Sequence, residues 1–226
     1  MPQRTLPGKG APEVVHRVSA RARRLTLRVA ADGLVTCTRP RSTPLRDACA
    51  FVEAKARWIE ARVSMLPPEL RVAAGAELPV DGHALLVCPA DVASVRPGSG
   101  RLLVPRGVPP GPQVAAWLRA RAAVRATEAC ARHATALGVP HGPVRVKDTR
   151  SRWGSCTSKG ALMLSWRLAM APREVLSYVA AHEVAHLVRM DHSPAFWSIV
   201  EGLDPDWRDR RAWLRAHGAA LLRLRF

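Results

Sequence analysis

The chain has 226 residues, 48% of them hydrophobic and 23% charged, and a mass of 24.6 kDa. Such a chain buries a sizeable core, which excludes an intrinsically disordered protein, and its length suits one large domain or two small lobes. Thirty-five Lys and Arg against eighteen Asp and Glu leave a net charge of +17, which attracts polyanions and makes nucleic acid a partner class to weigh.

The charge is less specific than it first looks. Lys9, Lys55, Lys147 and Lys159 are the only lysines, and the other thirty-one cations are Arg. An Arg- and Ala-rich, Lys-poor composition is what GC-rich coding produces. No run of about five or more like charges marks a binding tail. Arg21, Arg23 and Arg24 come closest, and they fit the solvated face of a strand. No apolar run of about 18 residues exists, so no transmembrane helix is expected. The N-terminus lacks the apolar core of a signal peptide. Cys37, Cys49, Cys88, Cys130 and Cys156 are odd in number and form no C-x-x-C pair. They read as reduced thiols in a cytoplasmic protein, not as a disulfide scaffold or a thiolate zinc site.

In chain order, the Pro/Gly-rich residues 1–12 predict a mobile tail. Residues 14–38 predict two strands around Asp32-Gly33, with Leu25, Leu27 and Val29 alternating against Arg24, Thr26 and Arg28. Phe51, Val52, Ala56, Ile59 and Val63 predict a helix over 44–65, ended by Pro67-Pro68. Residues 70–105 predict short strands around turns at Asp81-Gly82 and Pro97-Gly98, and the Pro/Gly stretch 105–112 a separator. A long helix is expected over 113–137, ending at Gly138, and strands over 143–170, with Leu162, Leu164, Trp166 and Leu168 on one face. Residues 172–190 predict a helix with Pro172 in its first turn, and shorter helices follow near 194–202 and 206–217. Strands and helices mix without regular alternation, so the expected class is α+β.

The most informative segment is His182-Glu183-Val184-Ala185-His186. On a helix, His182 and His186 lie about 40° and about 6 Å apart on one face, so both imidazoles reach a single zinc ion. Glu183 is offset from that face and can instead reach a water held by the metal, as general base. Leu176, Ala180, Val184, Leu187 and Val188 form the opposite, core-facing side. The third ligand is expected at His192, swung back by a turn at Met190–Asp191, with Ser193-Pro194 starting the next helix. The His spacing equals that of metzincins, but Arg189 occupies their turn-glycine position.

Further motifs lie around this segment: R-W-G-S-C at 152–156, L-S-W-R-L at 164–168, Y-V-A-A-H-E-V-A-H at 178–186, D-H-S-P-A-F-W at 191–197 and D-W-R-D-R-R-A-W-L at 206–214. With them, residues 15–218 resemble the YgjP-like metallopeptidase family, relatives of the SprT-like and WLM zinc proteases. The resemblance implies a zincin-like catalytic lobe, its helix packed on a small sheet, over about 113–220. A β-rich N-terminal lobe with one helix, about 13–112, would precede it in a single unit, 13–220. It also implies zinc on His182, His186 and His192, with Glu183 as base. Ser165 stands where Asn is expected.

Other residues carry both a chemical and a packing reading. Arg152 suits oxyanion stabilisation, Gly154 close approach of substrate backbone, and Trp153 the cleft wall. Tyr178, one turn before His182, can donate to the intermediate. Asp191 and Glu201, or Asp204 and Asp206, can orient ligand imidazoles. Phe196, Trp197, Trp207 and Trp213 read most simply as core, with the wall of a specificity pocket as the alternative, and His16, His83, His133, His141 and His217 as surface groups. Cys156 as a nucleophile would lack a base, since the nearby histidines serve better as ligands. The expected function is a zinc-dependent peptidase acting on peptide or protein. The alternatives are a nucleic-acid-associated protease acting on DNA-bound protein, as SprT-like proteins do, and a non-catalytic metal-binding module. One narrower question remains from the charge: whether Arg150, Arg152 and Arg167 gather beside the metal.

Overall fold

The computed structural model describes residues 3–5 and 13–226; the rest of the tail expected over 1–12 lies outside the described residues. Helices and small sheets mix as α+β. The chain divides into two compact units, Met1–Pro68 and Glu69–Phe226.

The first unit contains β1 (Gln3–Thr5), β2 (Val14–Val18), β3 (Thr26–Val29), β4 (Val35–Arg39), α1 (Leu45–Ala54) and α2 (Ala56–Ser64). Its sheet runs β1-β2-β4-β3, with β2 parallel to β4 and the other pairs antiparallel. The hairpin at Asp32-Gly33 is present: Gly33 has φ 88°, and Asp32 Oδ1 accepts from Leu34 N–H at 3.0 Å. Residues 14–38 hold three strands, not two, because a turn at Ser19–Ala22 separates β2 from β3. Arg21, Arg23 and Arg24 sit in that exposed connection, not on a strand. The helix expected over 44–65 breaks at Lys55 (φ −105°, ψ 9°). Val14, Val35, Cys37, Ala48, Val52 and Ile59 form this unit's core. His16, expected at the surface, is buried, since it lies on the core-facing side of β2 with Val14.

The second unit opens with β5 (Leu70–Arg71), β6 (Glu77–Val80), β7 (His83–Ala90), β8 (Arg96–Gly98) and β9 (Arg101–Pro105). The sheet order is β6-β7-β9-β8. Asp81 and Gly82 join β6 to β7 with φ 54° and 81°, the backbone of a tight two-residue hairpin. The second turn is not Pro97-Gly98. That pair lies in β8, an edge strand, where a missing N–H is tolerated, and the reversal falls at Ser99-Gly100.

Next comes α3 (Pro110–Leu137), closed by Gly138 in the left-handed region (φ 64°). Its stripe of Val114, Leu118, Ala122, Ala126, Ala129, Cys130 and Ala134 is buried. Then follow β10 (Val144–Lys147), β11 (Gly154–Cys156) and β12 (Leu162–Ser165), in the order β10-β12-β11. Leu162 and Leu164 are buried on β12 as expected, but Trp166 and Leu168 are buried from a 3-10 helix, Trp166–Met170. The chain finishes with α4 (Arg173–Ala185), α5 (Pro194–Leu203), α6 (Trp207–Leu222) and β13 (Leu224–Arg225), which pairs with β5.

The stretch 105–112 does not part this unit. Val72, Leu78, Val80, Val87, Leu102 and Val104 share one core with α3, β12, α4 and α5. α4 packs between α3 on one side and β11 and β12 on the other. Arg167 is buried and ties the region together, donating to Asp148 Oδ1 (2.8 Å) and to the carbonyls of Leu221 (2.7 Å) and Leu224 (3.1 Å). Among the described residues, no helix is long and apolar enough to cross a membrane.

Candidate metal centre

α4 presents His182 and Glu183 in its last turn and ends at Ala185, short of the residue 190 expected from sequence. Bonds from Leu187 N–H to the Val184 carbonyl (2.9 Å) and from Val188 N–H to the Ala185 carbonyl (3.1 Å) tighten the exit. Val188 consequently leaves the core stripe and is 50% exposed, whereas Leu176, Ala180 and Val184 are buried.

This exit positions His186. Its Nδ1 lies 2.9 Å from the Arg189 carbonyl, which fixes the proton on Nδ1 and leaves the Nε2 lone pair free. The chain then turns on Asp191, whose Oδ1 accepts from Ser193 N–H (3.1 Å) and from the Ser193 hydroxyl (2.7 Å). The Ser193 oxygen in turn accepts from Phe196 N–H at 3.4 Å and caps α5, with Pro194 in the first turn. His192 is thereby carried back over α4, its Nε2 3.2 Å from that of His182. One ligand atom each from His182, His186 and His192 lies within 4.8 Å of the others. Phe196, fully buried, floors the cluster, with its ring centroid 5.0, 4.5 and 4.9 Å from those three imidazoles.

Burial, more than the neighbouring imidazoles or Arg211, pushes His182 down to about 4. His186 is also lowered by burial, against its bond to the Arg189 carbonyl. Burial raises Glu183 to about 8, opposed by Arg152. Converging imidazoles beside a buried carboxylate form a donor set that fits a divalent ion, and three nitrogen ligands suit zinc. A dication there would favour the charged carboxylate. The acids expected to orient the imidazoles do not do so. Asp191 bonds Ser193, Glu201 pairs with Arg208 at 2.6 Å, and Asp206 pairs with Arg210 at 3.0 Å. Asp204 is raised chiefly by burial.

A family model described as YgjP-like, metallopeptidase domain, matches residues 23–217. The chain belongs to the YgjP-like metallopeptidase family. No curated protein and no solved structure matches it.

In this YgjP-like chain, two cavities flank the histidines, of about 450 and 470 Å³. Both are lined by Arg152, Gly154, His182 and Glu183. Trp153 and Tyr178 join the first, and Cys156 the second. Tyr178 is buried, its ring 6.2 Å from that of His182, and burial raises its phenol. The Cys156 thiol is raised by burial and by Glu183, which opposes a thiolate nucleophile. Gly154 is required by packing: a Cβ there would stand 2.6 Å from Glu183 Cγ.

The question about the arginines resolves in part. Arg152 lines the cleft, while Arg167 is buried away in its own hydrogen bonds. The cleft's other cations are Arg211 and Arg215 on α6, which the sequence reading did not single out. Their i, i+4 spacing marked one helix face but not what it faces. For Phe196 and Trp197 the sequence favours the core over a pocket wall. Phe196 is core and also floors the imidazoles, and the Trp197 ring lies 5.5 Å from that of His182. Trp207 is buried and stacks on Trp197 at 4.3 Å, and Trp213 is half-buried.

Proposed function

We propose that the chain is a zinc-dependent peptidase with a zincin-like catalytic lobe, in which His182, His186 and His192 hold the ion and Glu183 is the general base. The observation that carries this is the convergence of three imidazoles beside a carboxylate that is only 5% exposed. Bound zinc supplies Lewis acidity, polarising the scissile carbonyl and acidifying the attacking water.

The protein's own groups do the rest. A Glu183 Oε accepts the proton of the attacking water and later delivers it to the leaving amine nitrogen. Burial raises the Glu183 carboxyl while a bound dication would lower it again, so the two oppose each other in setting its proton affinity. Arg152 and the Tyr178 hydroxyl are the groups that can face the developing oxyanion. Gly154 lets extended substrate pass close to β11 without displacing Glu183. Phe196 and Trp197 keep bulk water from the underside of the imidazoles.

The test is cleavage of a degenerate peptide library by zinc-loaded protein. The reading predicts cleavage that stops with a chelator and returns with zinc. Zinc binding without cleavage of any peptide would instead favour a non-catalytic metal-binding module. The nucleic-acid-associated alternative rests on the +17 charge; a steep salt dependence of DNA binding, beyond that for heparin, would support it.

A further inference from the structure

The two cavities beside the imidazoles differ in charge. Three arginines, Arg152, Arg211 and Arg215, line the first, and Glu183 is its only carboxylate. The second shares Arg152 and adds no other arginine and no lysine. Positive charge is therefore concentrated on one side of the candidate reaction centre.

This concentration is built by packing. Arg211, Leu214, Arg215 and Gly218 recur at i, i+3, i+4 and i+7, which places them on one face of α6. At Gly218 a Cβ would come 2.8 Å from the Trp153 ring, so the missing side chain admits that indole. Seating Trp153 against α6 brings the adjacent Arg152 to the same cavity as Arg211 and Arg215. The Arg211 guanidinium lies 4.8 Å from the Trp197 ring centroid, which restrains it without neutralising it. Among the described residues, none of the three arginines forms an ion pair with a carboxylate. Arg152 faces Glu183 electrostatically, but Arg211 and Arg215 carry no carboxylate partner among the described residues, and guanidinium groups lining a cavity of this size fit a carboxylate, which Arg binds through paired charge-assisted hydrogen bonds.

We propose that the Arg152–Arg211–Arg215 cavity is a specificity site for a substrate carboxylate on one side of the scissile bond. It rests on the peptidase reading for the words scissile bond, but not for the binding itself. The carboxylate can come from an Asp or Glu side chain or from the substrate's C-terminus, and the test separates these sources.

Binding is measured by fluorescence anisotropy on the zinc-loaded full chain. The probes are one acidic peptide, its Asn/Gln counterpart, and a neutral peptide with either a free or an amidated C-terminus. The variants are Arg211→Gln/Arg215→Gln and, since Arg211 also packs on Trp197, Arg215→Gln alone. A control, Arg96→Gln/Arg101→Gln, removes the same charge from exposed strand residues outside the cavity. The expected result is at least about tenfold tighter binding of one carboxylate-bearing probe, falling towards parity in the double variant and partway in Arg215→Gln. The control should keep the preference. Cleavage mapping should then place the acidic group on one side of the cut only. Equal binding of acidic and neutral peptides would overturn the proposal, as would an equal loss of preference in the control. So would a short oligonucleotide that depends on Arg211 and Arg215 when acidic peptides do not. Carboxylate-selective binding without cleavage would uphold this site while contradicting the peptidase reading.

Discussion

Gly154 and Glu183 are in such close contact that a methyl group on residue 154 would stand 2.6 Å from Glu183 Cγ and 2.7 Å from its Cδ. β11 and α4 thus meet where one has no side chain and the other carries the candidate base. Gly154→Ala should therefore push the Glu183 carboxylate out of place. A displacement of about 1 Å at a catalytic group can cost about 100-fold in rate. We expect a loss of that order in kcat/KM, with zinc stoichiometry retained and a stability cost of about 1–3 kcal/mol from overpacking. Peptidase assays, metal analysis and thermal denaturation together check it.

The floor under the imidazoles should matter for metal affinity. Phe196 contacts all three histidine rings and is fully buried. Phe196→Ala should cost about 3–5 kcal/mol of stability. Phe196→Leu should be milder and leave a folded protein whose zinc affinity has fallen about tenfold or more, as when supports of ligand residues are removed. Competition with a chromophoric chelator measures the affinity. An unchanged affinity in Phe196→Leu would show that the floor does not hold the ligands in place.

The turn that returns His192 depends on Ser193, which donates to Asp191 and caps α5. Ser193→Ala should lose about 1 kcal/mol, the usual cost of a missing cap. It should also weaken zinc binding through a looser His192, while Ser198→Ala, four residues into the exposed face of α5, should leave zinc affinity unchanged. The same competition assay distinguishes them.

A separate ionic cluster lies in the second unit. Asp81 accepts from Arg121 (2.6 Å) and Arg125 (2.7 Å), and Arg173 lies 3.4 Å away. The Asp81 side chain is only 12% exposed. Asn tolerates the positive φ at this position, so Asp81→Asn removes the charge and not the turn. It leaves neighbouring guanidinium groups without their shared anion, a loss of about 3 kcal/mol. Denaturant titrations should show that loss shrinking as salt screens the repulsion.

Much of this arrangement is legible in the sequence, and the exceptions have physical causes. The helix that bears His182 and ends beside His186 follows from periodicity, and the α5 cap from Ser193-Pro194. Gly138 marks the end of α3 because only a left-handed residue closes it there. Helix ends were harder. Past Ala185 the N–H groups of Leu187 and Val188 bond three residues back, which apolar spacing over 172–190 does not reveal. Trp166 and Leu168 keep the buried positions that alternation assigns them, but in a 3-10 helix. The acids near the histidines were natural candidates to orient them, yet a backbone carbonyl, that of Arg189, takes the role for His186. Carbonyls carry no sequence signature. The arginine wall was invisible for a related reason. Arg211 and Arg215 are two among thirty-one arginines, and only the seating of Trp153 on Gly218 shows which way their face points.

The most direct test of the peptidase reading is the Glu183→Gln variant, measured for zinc content and for peptide hydrolysis on the same preparation. Gln keeps the size and hydrogen-bonding reach of Glu but cannot take a proton from water. One bound zinc per chain is expected, as in the unaltered protein, together with a fall in kcat of at least about 100-fold, the scale of a lost general base. Full turnover by the zinc-loaded Glu183→Gln protein would contradict it.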